Sequence, residues 1–278
     1  MSDFVHQQHS ICEFLSSDSW VILSPIEQSI KRKIESVGTP LKDWDINIYR
    51  GVLTGCNEAF IIDSKKRDEI LANCQTEEER QRTDELIRPI LRGRDIKRYS
   101  YVDNGLYLIN THNGVRGKYP RIKIEDYPSI KAHLDSYWNK IEKRADQGDT
   151  PYNLRNCAYL DLFFQPHICW KAVGKKLAFA LVDSGVFLTA PASFISGGKY
   201  NETILNYLCS NVGTYFVYKN SDTTGAGDIM LNIQSLIKFP VPLGYLETEG
   251  LSYDEINKAI YEVYGFTNEE ISFIESQI

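Results

Sequence analysis

Apolar positions change period several times along the chain, and each change marks an element. Ser24-Pro25-Ile26-Glu27 has the form of a capping box with proline at the first helical position. Ile26, Ile30, Ile34 and Val37 then keep one face apolar until Gly38, which predicts a short amphipathic helix. After Pro40, the alternation of Trp44, Ile46 and Ile48 predicts a strand leading into residues 50–63. There Gly51 and Gly55 punctuate a β-rich stretch, read as strand, tight loop and second strand, with Phe60 and Ile62 alternating with Ala59 and Ile61. Residues 64–87 read as helical and highly charged, with Thr76 as a cap ahead of Glu77, Glu78 and Glu79 and the charges on a solvated face. Leu106 to Asn110 predicts a strand, and Ile130, Leu134, Trp138 and Ile141 give 128–144 the helical period. The polar residues 1–23, with His6 and His9 far from other ligand-type side chains, read as a surface arm.

From Tyr152 to Ser196 the pattern shifts to short apolar runs, Tyr159–Phe164, Ile168–Trp170, Leu177–Val182 and Val186–Leu188, all predicted as strands. Ile204, Leu205, Leu208 and Val212 predict a helix over 201–216, and Ser221–Asp228 (SDTTGAGD) a small polar loop without the lysine and spacing of a P-loop. The last 38 residues form a distinct piece. LIKFPVPLG closes the β-rich part, and 253–264 and 267–276 read as two acidic helices, the second with a capping box at Thr267 and Glu270.

Composition adds little to this picture, but the distribution of charge changes it. The chain has 278 residues and a net charge of −6, yet residues 88–123 sum to +7 between acidic ends at −6 (residues 1–87) and −7 (residues 241–278). Within Arg88–Tyr99 (RPILRGRDIKRY) five cations meet one acid, and Gly93 between Arg92 and Arg94 lets the backbone come close to a ligand. Two readings stand: a solvated helix end opened by Pro89, or a surface for a polyanion. Lys171, Lys175 and Lys176 surround a hairpin at Gly174, where cations either meet phosphates or protect an edge strand. Thr54 and Asn57 are open to a similar choice, since Asn can pair with an adenine edge and Thr with a base or phosphate, while both also stabilise turns. On local grounds the turn role is favoured, and His112 reads as a turn residue.

Several chemistries lack their signatures. The chain has no Pro-Pro pair, so the Asp/Asn-Pro-Pro-aromatic tetrapeptide of amino-methyltransferases is missing. Asp63-Ser64-Lys65 with Glu58 upstream is a chance-level match to metal-dependent nuclease chemistry. Six cysteines without a CxxC pair and five scattered histidines indicate no metal site, and no Ser/His/Asp set stands out. No apolar run approaches the ~20 residues that span a bilayer, and the free-cysteine pattern fits a reducing cytoplasm, so the expectation is a cytoplasmic protein with no membrane partner.

In order along the chain, RGVLTGCNEAFIID, LRGRDIKRY, YLIN, YPSIKAHL, QPHICW, LTAPASFIS, YLCSNVGTYF, FPVP and the terminal YDEINKAIYEVYGFTNEEISFIE resemble the TaqI-like C-terminal specificity domain, the target recognition domain of type IIG restriction-modification enzymes and adenine-specific DNA methyltransferases. The resemblance runs from about Trp44 onward. It departs at His167, where relatives commonly place lysine, and the family's N-terminal catalytic domain has no counterpart here. The resemblance implies an α+β fold with a twisted, largely antiparallel β core flanked by helices. It implies a DNA recognition domain over residues 1–245 and, over 246–278, an acidic helical tail directed at a catalytic partner. It also implies sequence-specific recognition of double-stranded DNA on behalf of a methyltransferase, and in some systems a nuclease, domain. S-adenosylmethionine and Mg would belong to those domains, and no cofactor is expected in this chain. With the charge map, it makes Arg92, Arg94, Lys97, Arg98, Lys118 and Lys175 the expected phosphate contacts, with Thr54 and Asn57 near the duplex. The alternative is a protein-interaction module, or a stand-alone specificity subunit without DNA-modifying activity of its own.

Overall fold

A computed structural model of the chain describes residues 23–244, 246, 248 and 250–278; the arm expected over residues 1–23, with His6 and His9, lies outside them except for Leu23. The strands in chain order are β1 (Thr39–Pro40), β2 (Asn47–Arg50), β3 (Ile61–Asp63), β4 (Ile87–Leu91), β5 (Leu106–Ile109), β6 (His167–Trp170) and β7 (Val173–Gly174). They continue with β8 (Phe179–Val182), β9 (Phe187–Leu188), β10 (Ser193–Ser196), β11 (Asp222–Thr223), β12 (Ile229–Met230) and β13 (Pro240–Val241). The fold is α+β. No helix among the described residues is long and apolar enough to cross a membrane.

Two compact units emerge, the smaller from residues 23–44, Asn206–Asn220 and Gln234–Ile278. It is mainly helical, with β1 and β13 paired antiparallel. The expected capping box at Ser24 forms, with Glu27 N donating to Ser24 Oγ and Ser24 N to the Glu27 carboxylate. It opens helix Pro25–Val37, which buries Ile30 and Ile34. The two acidic helices are Tyr253–Tyr264 and Asn268–Ser276, the second capped by Thr267 and Glu270 as expected. They are not a separate appendage. Glu270 is buried and accepts Ser29 Oγ and Lys33 Nζ, each at 2.7 Å, and Asn257 Oδ1 caps Asn211 N at 2.7 Å. A cut at 245/246 would therefore fall inside this unit, because Ile260, Tyr264 and Ile274 need the helices Pro25–Val37 and Asn211–Asn220 to cover them. The single helix expected over 201–216 is two, Asn201–Cys209 and Asn211–Asn220. Between them buried Ser210 donates to Tyr207 O and accepts from Gly213 N, so its hydroxyl replaces the helical ladder.

The larger unit comprises Asp45–Leu205 and Ser221–Ile233 and carries the sheets. One is antiparallel, in the order β2-β10-β6-β8, and another runs β3-β5-β4-β9 with a single parallel pair, β4 with β9. Central strands β6 and β10 are buried at every position, including the polar His167, Ser193 and Ser196, so only Ile168–Trp170 of the two reads as an apolar run. Phe163 sits in the core with its ring centroid 4.5 Å from that of Phe187 and 4.6 Å from that of Phe194.

Several sequence expectations fail here for local reasons. Tyr159–Phe164 is no strand: residues 160–164 form a 3-10 helix that buries Leu160 and Phe163, three apart, and a short apolar run fits either structure. The second strand of 50–63 is shorter than expected, since one helical turn, Asn57–Phe60, precedes β3 and buries Ala59 and Phe60. Residues 128–144 hold two helices, Pro128–Asp135 and Trp138–Ile141, rather than one. Arg88–Leu91 lies in β4, with Pro89 opposite Tyr107, so the helix-end reading of the cationic stretch is overturned.

Candidate nucleic-acid interface

The cationic stretch leaves β4 at Leu91, makes a 3-10 turn over Gly93–Asp95 and folds back on itself. Ile96, buried, bridges to Tyr101, and Lys97 N donates to Ser100 O at 2.8 Å, closing a tight turn that carries Lys97, Arg98 and Tyr99 outward. Tyr99 holds a left-handed φ of 66°, unusual for a residue with a Cβ and costing on the order of 1 kcal/mol. Its N–H donates to Phe179 O, which pins the turn, and the Arg98 guanidinium lies 5.5 Å from the Tyr99 ring centroid.

The arginines either side of Gly93 differ in role. Arg92 donates through Nε and Nη2 to both oxygens of Asp95, each at 2.9 Å, and its backbone N–H adds a third bond at 2.8 Å. Asp95 is only 3% exposed and also accepts Asn104 Nδ2. Burial pushes its carboxyl upward, but the Arg92 guanidinium and backbone N–H outweigh that and hold it below the usual carboxylate range. Arg92 thus neutralises an acid of the fold and locks the turn, whereas Arg94 and Lys97 are exposed, the latter donating from Nζ to Arg94 O.

The structure brings the lysine hairpin to this turn. A Cβ built on Gly93 would stand 3.2 Å from Lys171 Cβ, so the close approach that Gly93 permits is by Lys171 of the same chain. Lys171 in turn lies across Gly174, where a Cβ would fall 2.4 Å from its Cε. Beyond it Lys175 and Lys176 are exposed. The approach of Lys171 to Gly93 therefore brings together two cationic segments far apart in sequence, the turn that carries Arg94, Lys97 and Arg98 and the hairpin that carries Lys171, Lys175 and Lys176. Of the six residues expected to contact phosphates, Arg94, Lys97, Arg98 and Lys175 lie in these two segments and are exposed, with Lys176 beside them, whereas Arg92 is taken up by Asp95; the Gly174 hairpin was visible in the sequence, but its neighbour was not.

The other candidates sit elsewhere. Thr54 is 2% exposed; its Oγ1 donates to Asn57 Oδ1 at 2.5 Å and accepts Cys56 N, so its side chain serves the turn, while Asn57 opens a helical turn and is exposed. Gly55, at φ 64°, is required there, because a Cβ would come within 1.8 Å of Ala145 O. Arg144, which the sequence reading did not single out, anchors that loop. Buried over the Phe60 ring, it donates to the carbonyls of Thr54, Asp146, Pro151 and Asn153, and burial lowers its pKa to about 10. Lys118 is paired with Asp161 in a different loop, 113–121, beside exposed Arg116 and beside Arg121, which reaches Asp149 at 3.4 Å. His112 accepts Gly114 N through Nδ1, the turn role expected of it, and His167, where the resemblance departs, is buried with Nδ1 2.9 Å from Gln165 O. Among the described residues no group of three or more His, Cys, Asp or Glu is placed to hold a metal ion.

Exposed Lys and Arg side chains spread over a tight turn and a hairpin, with the one acid of the turn, Asp95, internally neutralised, suit a row of phosphates better than a single small anion. Neither a protein-family model nor a curated protein matches the sequence. Among solved structures, the type IIL restriction-modification enzyme MmeI, determined in complex with DNA, matches over 86% of this chain at a TM-score of 0.58 and 12% identity. The type IIG restriction endonuclease BpuSI aligns over 87% of the chain at a TM-score of 0.48 and 15% identity, covering 28% of BpuSI. The chain spans about a third of MmeI, 36% of its length, and over that span it is similar in fold to this restriction-modification enzyme.

Proposed function

We propose that the chain is a recognition module for double-stranded DNA in a type II restriction-modification system, giving sequence selectivity to an adenine-specific methyltransferase or endonuclease domain. The carrying observation is the merger of two cationic segments, Arg92–Arg98 and Lys171–Lys176, on one surface of an otherwise acidic protein. Cations spaced over a turn and a hairpin match a phosphate backbone, and such contacts fix register while base edges supply selectivity. The shared fold with MmeI, which was solved bound to DNA, supports the same reading. S-adenosylmethionine and Mg belong, on this reading, with the catalytic domain that the module directs.

The test is binding to labelled duplexes drawn from a random pool, with single-stranded DNA of the same length as competitor. The expected outcome is preferential retention of duplex and enrichment of a discrete sequence over rounds of selection. Equal competition by single strands, or a salt-sensitive complex formed only with an acidic protein, would overturn the proposal.

A further inference from the structure

Beside the lysine hairpin stands a small three-stranded ribbon, β11-β12-β7, that the cationic surface alone does not explain. Its register places Asp222 opposite Met230 and Met230 opposite Val173, so these three side chains form one row on one face. All three are exposed, Val173 at 43% and Met230 at 40%. At the turn, Gly225 and Gly227 have open space around them, since a Cβ on either would meet no atom within 4 Å. The base is fixed, because fully buried Trp170 donates through Nε1 to Leu231 O and Leu231 N donates to Ala172 O. A rigid root, an open tip and an apolar row next to lysines distinguish this hairpin from an ordinary surface loop.

We infer that this ribbon enters the major groove and reads base edges there, with Asp222 accepting from a cytosine amino group and Met230 and Val173 packing on thymine methyl groups. The inference rests on the DNA-recognition reading above and adds which residues discriminate. The major groove admits a two-stranded ribbon, so the β11–β12 pair with Asp222 and Met230 fits inside it and Val173 on β7 stands at the edge of the row, on the side of the lysines. Three strands at a spacing of about 4.8 Å make the row roughly 10 Å long, on the order of three base steps at about 3.4 Å each. The carboxylate is an acceptor of the kind that pairs with cytosine N4, and the apolar side chains match the only methyl group a base pair presents in that groove. Charge complementarity selects DNA as the occupant of this exposed face: Lys175 and Lys176 follow β7 directly, so phosphates flanking the groove would meet cations as the row meets bases.

The test uses the full chain. Wild type, Asp222→Ala and Met230→Ala are each taken through selection from a random duplex pool, and the wild-type site is then remade with deoxyuridine replacing each thymine. Wild type should lose about fourfold in affinity at one or more thymine positions, the effect of one buried methyl. Met230→Ala should bind the thymine and uracil versions alike, and Asp222→Ala should lose about tenfold or more of its preference for cytosine at one position. Neither variant removes a cation, so their salt dependence should match wild type. If wild type selects a sequence and both variants select the same one with the same thymine sensitivity, the ribbon is no reader although the module reading stands. Duplex binding without any sequence preference also overturns the inference. A wild type that does not bind duplex at all sinks the module reading itself.

Discussion

Arg92 and Arg94 stand two residues apart with the same charge, and the structure gives them opposite duties. Removing the Arg92 side chain leaves Asp95 buried with its main cation gone, a situation that costs about 2–4 kcal/mol. Arg94→Ala and Lys97→Ala remove exposed side chains and should change stability by less than about 0.5 kcal/mol. Chemical denaturation of the three single variants checks this: destabilisation confined to Arg92→Ala is the expected result, and equal stability in all three would remove Asp95 as the reason for Arg92. The sequence showed that this stretch was cationic but not which cations were already neutralised, because a partner such as Asp95 is chosen by the turn. Thr54 illustrates the same limit. Its residue type suits both a base contact and a turn, and only its burial against the Arg144-anchored loop decides for the turn.

Among the elements, features set within a few residues were legible. The capping boxes at Ser24 and Thr267, the Thr76 cap and the short strands at 106–109 and 168–170 follow from local pattern. The 3-10 segment 160–164 and the break at Ser210 did not, because an apolar run carries no mark of its period and a serine hydroxyl breaks a helix only where its surroundings allow. Nor did the fate of the acidic helices. Glu79, within a charge run, is buried and accepts Gln75 N and Ser129 N, and Glu270 binds Ser29 and Lys33. These internal uses have a pH signature. The Lys219 ammonium brings Glu27 to about 2; for Glu270, burial acts upward, yet the bonds from Lys33, Ser29 and Thr267 N outweigh it and also bring it to about 2. Both lie below the ordinary value of 4.5, so their contribution is complete above that pH and is lost as pH falls from 4.5 toward 2. Thermal denaturation followed between about pH 6 and pH 2 should show the smaller unit weakening in that window. Glu270→Gln should cost about 1–3 kcal/mol at neutral pH and make the acid-side decline shallower. An unchanged pH profile in that variant would contradict the assignment.

For the whole molecule, the basic band between acidic ends was evident from the chain, since it is a sum over many residues, while the α+β class was expected from the order of the motifs that carry the resemblance. The interface was legible only in halves. Arg92–Arg98 and Lys171–Lys176 each stood out, but their meeting at Gly93 is a long-range approach that no local pattern encodes, and Lys118, grouped with them by charge, is instead paired with Asp161 in another loop. The division into two units is likewise non-local, since the smaller one draws on three separated segments. The functional reading turns on whether the merged surface neutralises DNA phosphates, and salt dependence measures this directly. Affinity for random duplex should fall linearly in log salt. Changing Arg94, Lys97, Arg98 and Lys175 together to Ala, with Arg92 kept for stability, should weaken binding and flatten the slope by about 3 to 4, at roughly 0.9 for each phosphate no longer neutralised. A folded variant that binds duplex with the wild-type slope would place DNA on some other surface and contradict the proposed interface.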